Sequence, residues 1–324
     1  MRFFAYALLG ILLPATVFAQ GVFGTGGPAL TLAISPDYPR PYDTITASLS
    51  SNSIDLAAAI ITILADGKEI PMTNGRARVT LGAAGSATVV KAIATIGGQA
   101  YSASQTVRPA EVALIAEPAA TSHPFYPGGF GIPSQGQVRL VALPDLRATG
   151  GKRFTDGTLV YKWKLNGQEL ADLSGIGRSV VSMTAPVRYR DATIEVTVLS
   201  PDQSLVADSV LRISPSDPSV RVYESDPLLG IRYDRALGDE FAMPGAEATF
   251  VAVPYGFART PAIVWTVNSG ASGSNPAITL RSTGGKGSAA VSVTATLPQL
   301  FETATRALRI SFGETSGGTG IFGL

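Results

Sequence analysis

The 324-residue chain contains no cysteine. This absence excludes disulfide bonds, thiolate metal ligands, cysteine nucleophiles and lipid attachment to a mature N-terminal cysteine. Each folded domain must therefore be stabilised by its apolar core alone, which is feasible for domains of roughly a hundred residues.

Histidine is nearly absent as well, because His123 is the only one in the chain. An ordinary zinc site needs more nitrogen or sulfur ligands, and a Ser-His-Asp triad would have to recruit this one residue. No serine lies in the Gly-x-Ser-x-Gly turn that exposes a nucleophile. His123 precedes a proline, so we expect a solvated loop residue. The sequence predicts no catalytic residue, no metal site and no cofactor, and the chain is not expected to be an enzyme.

Charge is sparse and balanced, with 15% charged residues and 25 Lys+Arg against 24 Asp+Glu. A net charge of +1 creates no field that would attract nucleic acid or anionic lipid, so neither is an expected partner. If calcium binds anywhere, the oxygen ligands would come from Asp217, Glu224 and Asp226 near a domain joint. Solvated carboxylates are the simpler interpretation, because no Asp-x-Asp-x-Asp-Gly pattern is present.

The first residues have the pattern of a secretion signal. Arg2 precedes an apolar run over residues 3–13, Pro14 ends it, and small Ala19 fits cleavage before Gln20. The alternative is an uncleaved membrane anchor, which would be the chain's only membrane contact. We therefore expect a secreted, extracytoplasmic protein located at the cell surface.

A strand-like segment with a polar turn recurs three times at a spacing of about a hundred residues. The three copies are Ile60 to Gly67, Tyr161 to Gly167 and Val264 to Gly270. Each copy lies among short β-rich runs separated by turn residues, and no amphipathic helix is evident. This pattern predicts an all-β protein of tandem antiparallel immunoglobulin-like β-sandwich domains.

The restarts of this cycle define the predicted domains. They are a signal peptide (1–19), a Gly-rich lead (20–27), three Ig-like domains (28–109, 110–215 and 216–313) and a flexible tail with an apolar tip (314–324). The two joints between domains are short and contain proline, so they are too stiff to act as loose tethers. We expect the domains to form a semi-rigid spacer.

Two long insertions, 119–134 and 228–245, carry aromatic residues, and the tail ends in apolar ones. The candidate interaction residues are Phe125, Tyr126, Phe130, Tyr233, Phe241, Ile321, Phe322 and Leu324. The insertion aromatics either bind a glycan or another cell-surface protein, or pack across a domain end or joint. The tail either docks on another subunit, which would give self-assembly, or is a frayed end.

The segment Tyr161-x-Trp163-x-Leu165-Asn166-Gly167 resembles immunoglobulin-like and PKD-like domains of bacterial surface proteins. In that resemblance Trp163 fills the core from a central strand and an Asn-Gly turn follows. The match is weaker around Trp265, and Ile63 stands at the tryptophan position in the first copy. The cysteine pair of antibody-type domains and the Gly-Asp-Gly turn of PKD repeats are missing. The resemblance implies an extracellular spacer, adhesion or assembly module.

The leading hypothesis is thus an exported, non-catalytic structural or interaction protein whose tandem domains act as a spacer and assembly module. The alternative is an adhesin that binds a glycan or protein ligand through its aromatic insertions.

Overall fold

The computed structural model describes residues 30–124, 126 and 131–313. Three predicted segments lie outside the described residues, namely the signal peptide (1–19), the Gly-rich lead (20–27) and the tail (314–324). Within the described part, no helix is long and apolar enough to span a bilayer. Contacts between residues divide the chain into two units, Met1–Arg108 and Pro109–Leu324.

The first unit contains one β-sandwich, whose strands alternate buried and exposed residues. The strands are β1 (Leu30–Ser35), β2 (Thr44–Ser51), β3 (Ile60–Ala65), β4 (Lys68–Ile70), β5 (Met72–Thr73), β6 (Arg76–Thr80), β7 (Thr88–Ile96) and β8 (Gln99–Val107). They form two antiparallel sheets, β1-β2-β6-β5 and β4-β3-β7-β8. Ile45, Ile63 and Val90 are fully buried between the sheets.

The second unit begins with another sandwich. Its strands are β9 (Glu111–Pro118), β10 (Ile132–Pro133), β11 (Gln137–Asp145), β12 (Val160–Leu165), β13 (Gln168–Glu169), β14 (Gly175–Ile176), β15 (Val180–Thr184), β16 (Ala192–Leu199), β17 (Val206–Ile213) and β18 (Pro215–Ser216). One sheet has the order β15-β11-β9 and the other β13-β12-β16-β17. Two short 3-10 helices, Asp156–Thr158 and Ala171–Leu173, flank β12 and β13.

A third sandwich completes the second unit. Its strands are β19 (Ser219–Asp226), β20 (Gly230–Ala236), β21 (Glu240–Ala242), β22 (Glu247–Tyr255), β23 (Ala262–Val267), β24 (Gly270–Gly273), β25 (Ala277–Arg281), β26 (Gly287–Leu297) and β27 (Glu302–Phe312). The sheets have the orders β20-β19-β22-β25 and β21-β27-β26-β23-β24. A 3-10 helix, Pro298–Leu300, connects β26 to β27.

The three sandwiches share one arrangement of seven strands. The first, second and fifth common strands form one sheet, and the third, fourth, sixth and seventh form the other. This arrangement is that of an immunoglobulin-like sandwich, so the predicted all-β fold with tandem Ig-like domains is confirmed. The residue bounds given above for the three domains stay a prediction.

The third common strand carries the predicted core residue in every copy. Trp163 and Trp265 are fully buried, and Ile63 takes the same place in the first sandwich. The Trp163 indole donates to the carbonyl of Arg178 (2.9 Å), and the Trp265 indole donates to the carbonyl of Asn275 (3.0 Å). A buried indole N–H needs an acceptor. Because each acceptor lies in the loop just before β15 or β25, each bond also holds the loop that leads into the opposite sheet.

The turn after this strand explains the recurrent polar dipeptide. Both turn residues have positive φ in the pairs Asp66-Gly67, Asn166-Gly167 and Asn268-Ser269. Two successive positive φ values define the type I′ hairpin, which favours Asn, Asp and Gly. The first side chain of each pair also accepts a backbone N–H from the sixth common strand or its entry, from Val89 (2.8 Å), Thr193 (2.8 Å) and Ala290 (3.0 Å). The dipeptide therefore shapes the hairpin and joins it to a neighbouring strand.

Each long insertion connects the first and second common strands of its sandwich, which lie in the same sheet. Each insertion ends in a short strand that pairs in parallel with a strand at the C-terminal end of its sandwich. These pairs are β10 with β18 and β21 with β27. The insertion over 119–134 also reaches the third sandwich before it arrives at β10.

Candidate functional site

Thr121, in the insertion of the second sandwich, makes backbone hydrogen bonds to the third sandwich at the joint between them. Its amide donates to the carbonyl of Phe257 (2.9 Å), and its carbonyl accepts the amide of Gly256 (3.1 Å). The Thr121 hydroxyl accepts the amide of Phe257 (3.1 Å). The insertion therefore binds the loop that follows β22 as an additional short strand would.

Beyond Thr121, the insertion places two rings against the outer face of the β20-β19-β22-β25 sheet. These rings, His123 and Tyr126, meet Tyr223, Tyr233 and Tyr255, and the five residues are called the aromatic cluster. His123 stacks on Tyr233 with ring centroids 4.5 Å apart and an interplanar angle of 17°. It meets Tyr126, Tyr255 and Tyr223 edge to face at 5.3, 5.9 and 6.3 Å.

The alternation of β19 and β22 explains why aromatic rings cover this face. Val222 and Phe250 point into the third core, whereas Tyr223 and Tyr255 point outward and are nevertheless 2% and 3% exposed. Their hydroxyl groups share a hydrogen bond of 2.7 Å. Burial, and next the hydrogen bond with Tyr223, raises the pKa of Tyr255, so this phenol stays protonated at physiological pH. An outer face that would normally be solvated is thus buried at the joint.

His123 differs from the solvated loop residue predicted from the sequence. The side chain is only 9% exposed because the tyrosines surround it. Its Nδ1 atom donates to the carbonyl of Pro124 at 2.5 Å, which fixes the orientation of the ring. The prediction was wrong because the sequence around His123 carries no sign of the sheet on which it packs.

Charged groups also lie at the joint. Arg188, in the loop after β15, pairs with Asp217 (3.3 Å) between the sandwiches. Glu302 at the start of β27 is 1% exposed, and neither carboxylate oxygen makes a hydrogen bond of full geometry. Burial raises the pKa of Glu302, and the Ala258 amide and the Arg188 charge offset this only in part.

The structure places the predicted interaction residues in different environments. Tyr126 and Tyr233 are half-buried in the aromatic cluster, so both contribute to packing across the joint. Phe241 meets Phe250 edge to face at 5.4 Å at the margin of the third core. The remaining predicted residues, Phe125, Phe130, Ile321, Phe322 and Leu324, lie outside the described residues.

The suggested calcium ligands do not converge. Asp217 precedes β19 and Asp226 ends it, so the eight-residue strand separates their carboxylates. The Asp226 carboxylate accepts the amides of Leu228 (2.8 Å) and Leu229 (2.9 Å), which lower its pKa. Among the described residues, no group of three potential ligand side chains could hold a metal ion. The suggested site was wrong because an extended strand holds its two ends far apart.

Sequence reasoning missed Tyr223 and Tyr255 as members of the joint. A signal was present, because both tyrosines occupy the outward positions of strands whose inward positions are already apolar. A bulky aromatic residue on the second face of such a strand indicates that the face is covered.

Comparisons with known proteins found similarity only among solved structures. No protein-family model matches the chain, and no curated protein sequence matches it. One similar structure is the central fibronectin-III array of RIM-binding protein, with 10% identity, a TM-score of 0.30 and coverage of 89% of this chain and 97% of that chain. Another is Sidekick-1 immunoglobulin domains 1–5, with 10% identity, a TM-score of 0.31 and coverage of 89% and 60%. A third is the three N-terminal domains of the bacteriophage RB49 Highly Immunogenic Outer Capsid protein, with 14% identity, a TM-score of 0.25 and coverage of 88% and 99%. The fold of this chain rests on its own strand pairing.

Proposed function

We propose that the chain is an exported, non-catalytic structural or interaction protein of the cell surface, in which tandem Ig-like domains act as a semi-rigid spacer and assembly module. The second and third sandwiches support this proposal most directly, because their joint leaves little freedom to a hinge. A spacer must hold its two ends at a fixed distance and orientation, which requires joints that allow little domain motion.

The observation that carries the proposal is the density of contacts made by one short segment. Thr121 supplies three hydrogen bonds, and His123 and Tyr126 supply ring packing on the next sandwich. Since an ordinary linker between domains requires none of these contacts, their presence favours a role in which the relative placement of the two domains matters.

Export is the second part of the proposal, and it rests on the signal pattern ahead of Gln20. The test is expression of the chain from Met1 in a secreting host, followed by N-terminal sequencing of the surface or medium fraction. Recovery of a chain that begins at Gln20 is expected. A chain retained inside the cell with Met1 intact would contradict export.

The structural role is tested by loosening the joint with His123→Ala and Tyr233→Ala together. This variant is expected to remain folded and exported but to be incorporated into the cell surface less than wild type, as measured by the amount of chain in the surface fraction. The matched control is Tyr38→Ala, which removes an aromatic ring that is 44% exposed and lies in the first sandwich, outside this joint. A loosened variant that is incorporated as well as wild type would contradict the structural role.

A second candidate function, an adhesin for a glycan or a protein, is favoured by a groove beside Phe241. This groove has a volume of about 360 Å³ and is lined by Glu224, Arg232, Arg235, Leu237, Glu240, Phe241 and Ala242. The lining combines apolar side chains with charged groups of both signs, a composition that suits a polar ligand. Screening against immobilised glycans with wild type and Arg235→Ala tests it, because binding that survives the substitution would exclude this groove.

A further inference from the structure

The outer face of the β15-β11-β9 sheet in the second sandwich carries a contiguous apolar surface. Val141 on β11 lies between Ile115 on β9 and Val180 on β15, and Leu143 follows on the same face. Ile115, Leu143 and Val180 are 44%, 46% and 42% exposed. These four residues are called the outer apolar face. Neighbouring apolar residues on one solvated sheet face indicate an interaction surface.

Within the part of the chain that the structure describes, the corresponding sheet faces of the other two sandwiches are either polar or covered, whereas the outer apolar face is neither. In the first sandwich the outward positions of β2 and β6 hold Thr44, Thr46, Ser48, Arg76 and Arg78, which suit solvent. In the third sandwich the same face is apolar and is covered by the insertion that carries His123 and Tyr126. The second sandwich has the apolar composition of the third but, among the described residues, no comparable cover.

The covered face indicates what kind of segment such a surface accepts. Its cover is a non-helical stretch of chain that binds through backbone hydrogen bonds at Thr121 and then lays rings on the sheet. An extended segment with large apolar side chains therefore has the matching chemistry for the outer apolar face. The segment over 314–324 has a matching composition, because Ile321, Phe322 and Leu324 follow a run of Gly, Ser and Thr.

This segment cannot reach the outer apolar face of its own chain. It leaves the third sandwich after β27, whose first residue, Glu302, lies at the joint beside Arg188 and whose eleventh, Phe312, lies at the opposite end. The ten steps of β27 span about 34 Å. Leu324 follows Gly313 by eleven residues, which cover at most about 40 Å. The outer apolar face lies further still, because Val141 is four residues, or about 13 Å, into β11 from Gln137 near the joint. A segment that returned straight along its own sandwich would therefore stop short of this face, so the occupant must come from another copy.

We propose that the segment 314–324 of one copy binds the outer apolar face of a second copy. This inference rests on the proposed role as an assembly module and names the partner and the surface. The contact is heterologous, because the tail of one copy meets the sheet face of the next. Such contacts repeat in one direction and generate chains of subunits unless the rotation closes a ring.

The experiment uses the chain from Gln20 onward and follows association by sedimentation velocity over a wide concentration range. Wild type is expected to associate with rising concentration. Leu143→Lys, which places a charge on the apolar face, and Phe322→Asp, which places one on the tail, are each expected to weaken association at least about tenfold. The control is Val210→Lys, at a 59% exposed position on the other sheet of the same sandwich, and it should associate like wild type.

Mixing the two weakened variants gives the decisive result. The Leu143→Lys chain still has its tail and the Phe322→Asp chain still has its face, so an equimolar mixture should form dimers and nothing larger. Association of Phe322→Asp alone would indicate contact between two faces and would overturn the proposal. A wild-type chain that stays monomeric, or a mixture that does not dimerise while both variants keep wild-type circular dichroism and melting temperature, would overturn it as well.

These outcomes are separable from failure of the proposed function. A chain that is exported and keeps a fixed joint but never associates contradicts only the contact between copies. A chain that associates but is not exported contradicts the proposed function.

Discussion

At the residue scale, the recurrent turn after the third common strand has two tasks in each sandwich. Its first residue adopts a positive φ, and the side chain of that residue accepts a backbone N–H from the sixth common strand. Asn and Asp can do both, whereas Gly can do only the first and Ala can do neither well.

The first prediction concerns Asn166, whose φ is 50° and whose Oδ1 accepts the Thr193 amide at 2.8 Å. Asn166→Ala should lower the free energy of unfolding by about 2 kcal/mol, the sum of a lost hydrogen bond and a strained turn. Asn166→Asp, the control, keeps the acceptor and should cost much less. Urea unfolding measures both, and equal losses in the two variants would contradict the double role.

The second prediction concerns Glu302, whose pKa is raised in the folded protein from an ordinary value of 4.5. The folded state therefore holds the proton more tightly than the unfolded state, so stability falls as the pH rises from about 4.5 through the raised pKa. Glu302→Gln should raise the melting temperature at pH 8 and have little effect at pH 4. Glu240→Gln, at an exposed position, is the control. A variant less stable than wild type at pH 8 would show that the charge of Glu302 is favourable.

At the element scale, the insertion over 119–134 is part of the second sandwich in sequence but also contacts the third sandwich. It leaves β9, binds the loop after β22 and returns to pair β10 with β18. The segment therefore connects two cores that are otherwise separate sets of buried residues.

The third prediction is a coupling energy between His123 and Tyr233, whose rings stack at 4.5 Å. A double-mutant cycle of His123→Ala and Tyr233→Ala should give about 1 kcal/mol, within the range of aromatic pairs. The control cycle pairs His123→Ala with Phe241→Ala, since Phe241 packs on Phe250 and not in the aromatic cluster. Additive effects at His123 and Tyr233 would mean that the stack contributes nothing across the joint.

The elements that local pattern determines could be predicted from the sequence. Alternation placed the strands, and the buried positions of Trp163 and Trp265 follow from their place on a central strand. The Asn-Gly turn also needs no long-range information. The aromatic cluster could not be predicted in the same way, because His123 and Tyr255 are far apart in sequence and meet only after two sandwiches have formed. The charge pair of Arg188 and Asp217 depends on the same long-range arrangement.

At the scale of the whole molecule, the second and third sandwiches are joined in one unit. The joint combines the aromatic cluster, the hydrogen bonds of Thr121 and the group formed by Arg188, Asp217 and Glu302. Because these contacts are of several kinds and all join the same two sandwiches, they restrict relative motion more than an ordinary linker does.

The measurement that tests this claim most directly is the distance distribution between two spin labels, one on each sandwich. The chain has no cysteine, so labels at Lys162→Cys on β12 and Thr305→Cys on β27, both exposed positions, have no background. Double electron–electron resonance should give one narrow distribution for the otherwise unchanged chain and a broad one when His123→Ala and Tyr233→Ala are added. A distribution that is already broad before these substitutions would contradict the fixed joint.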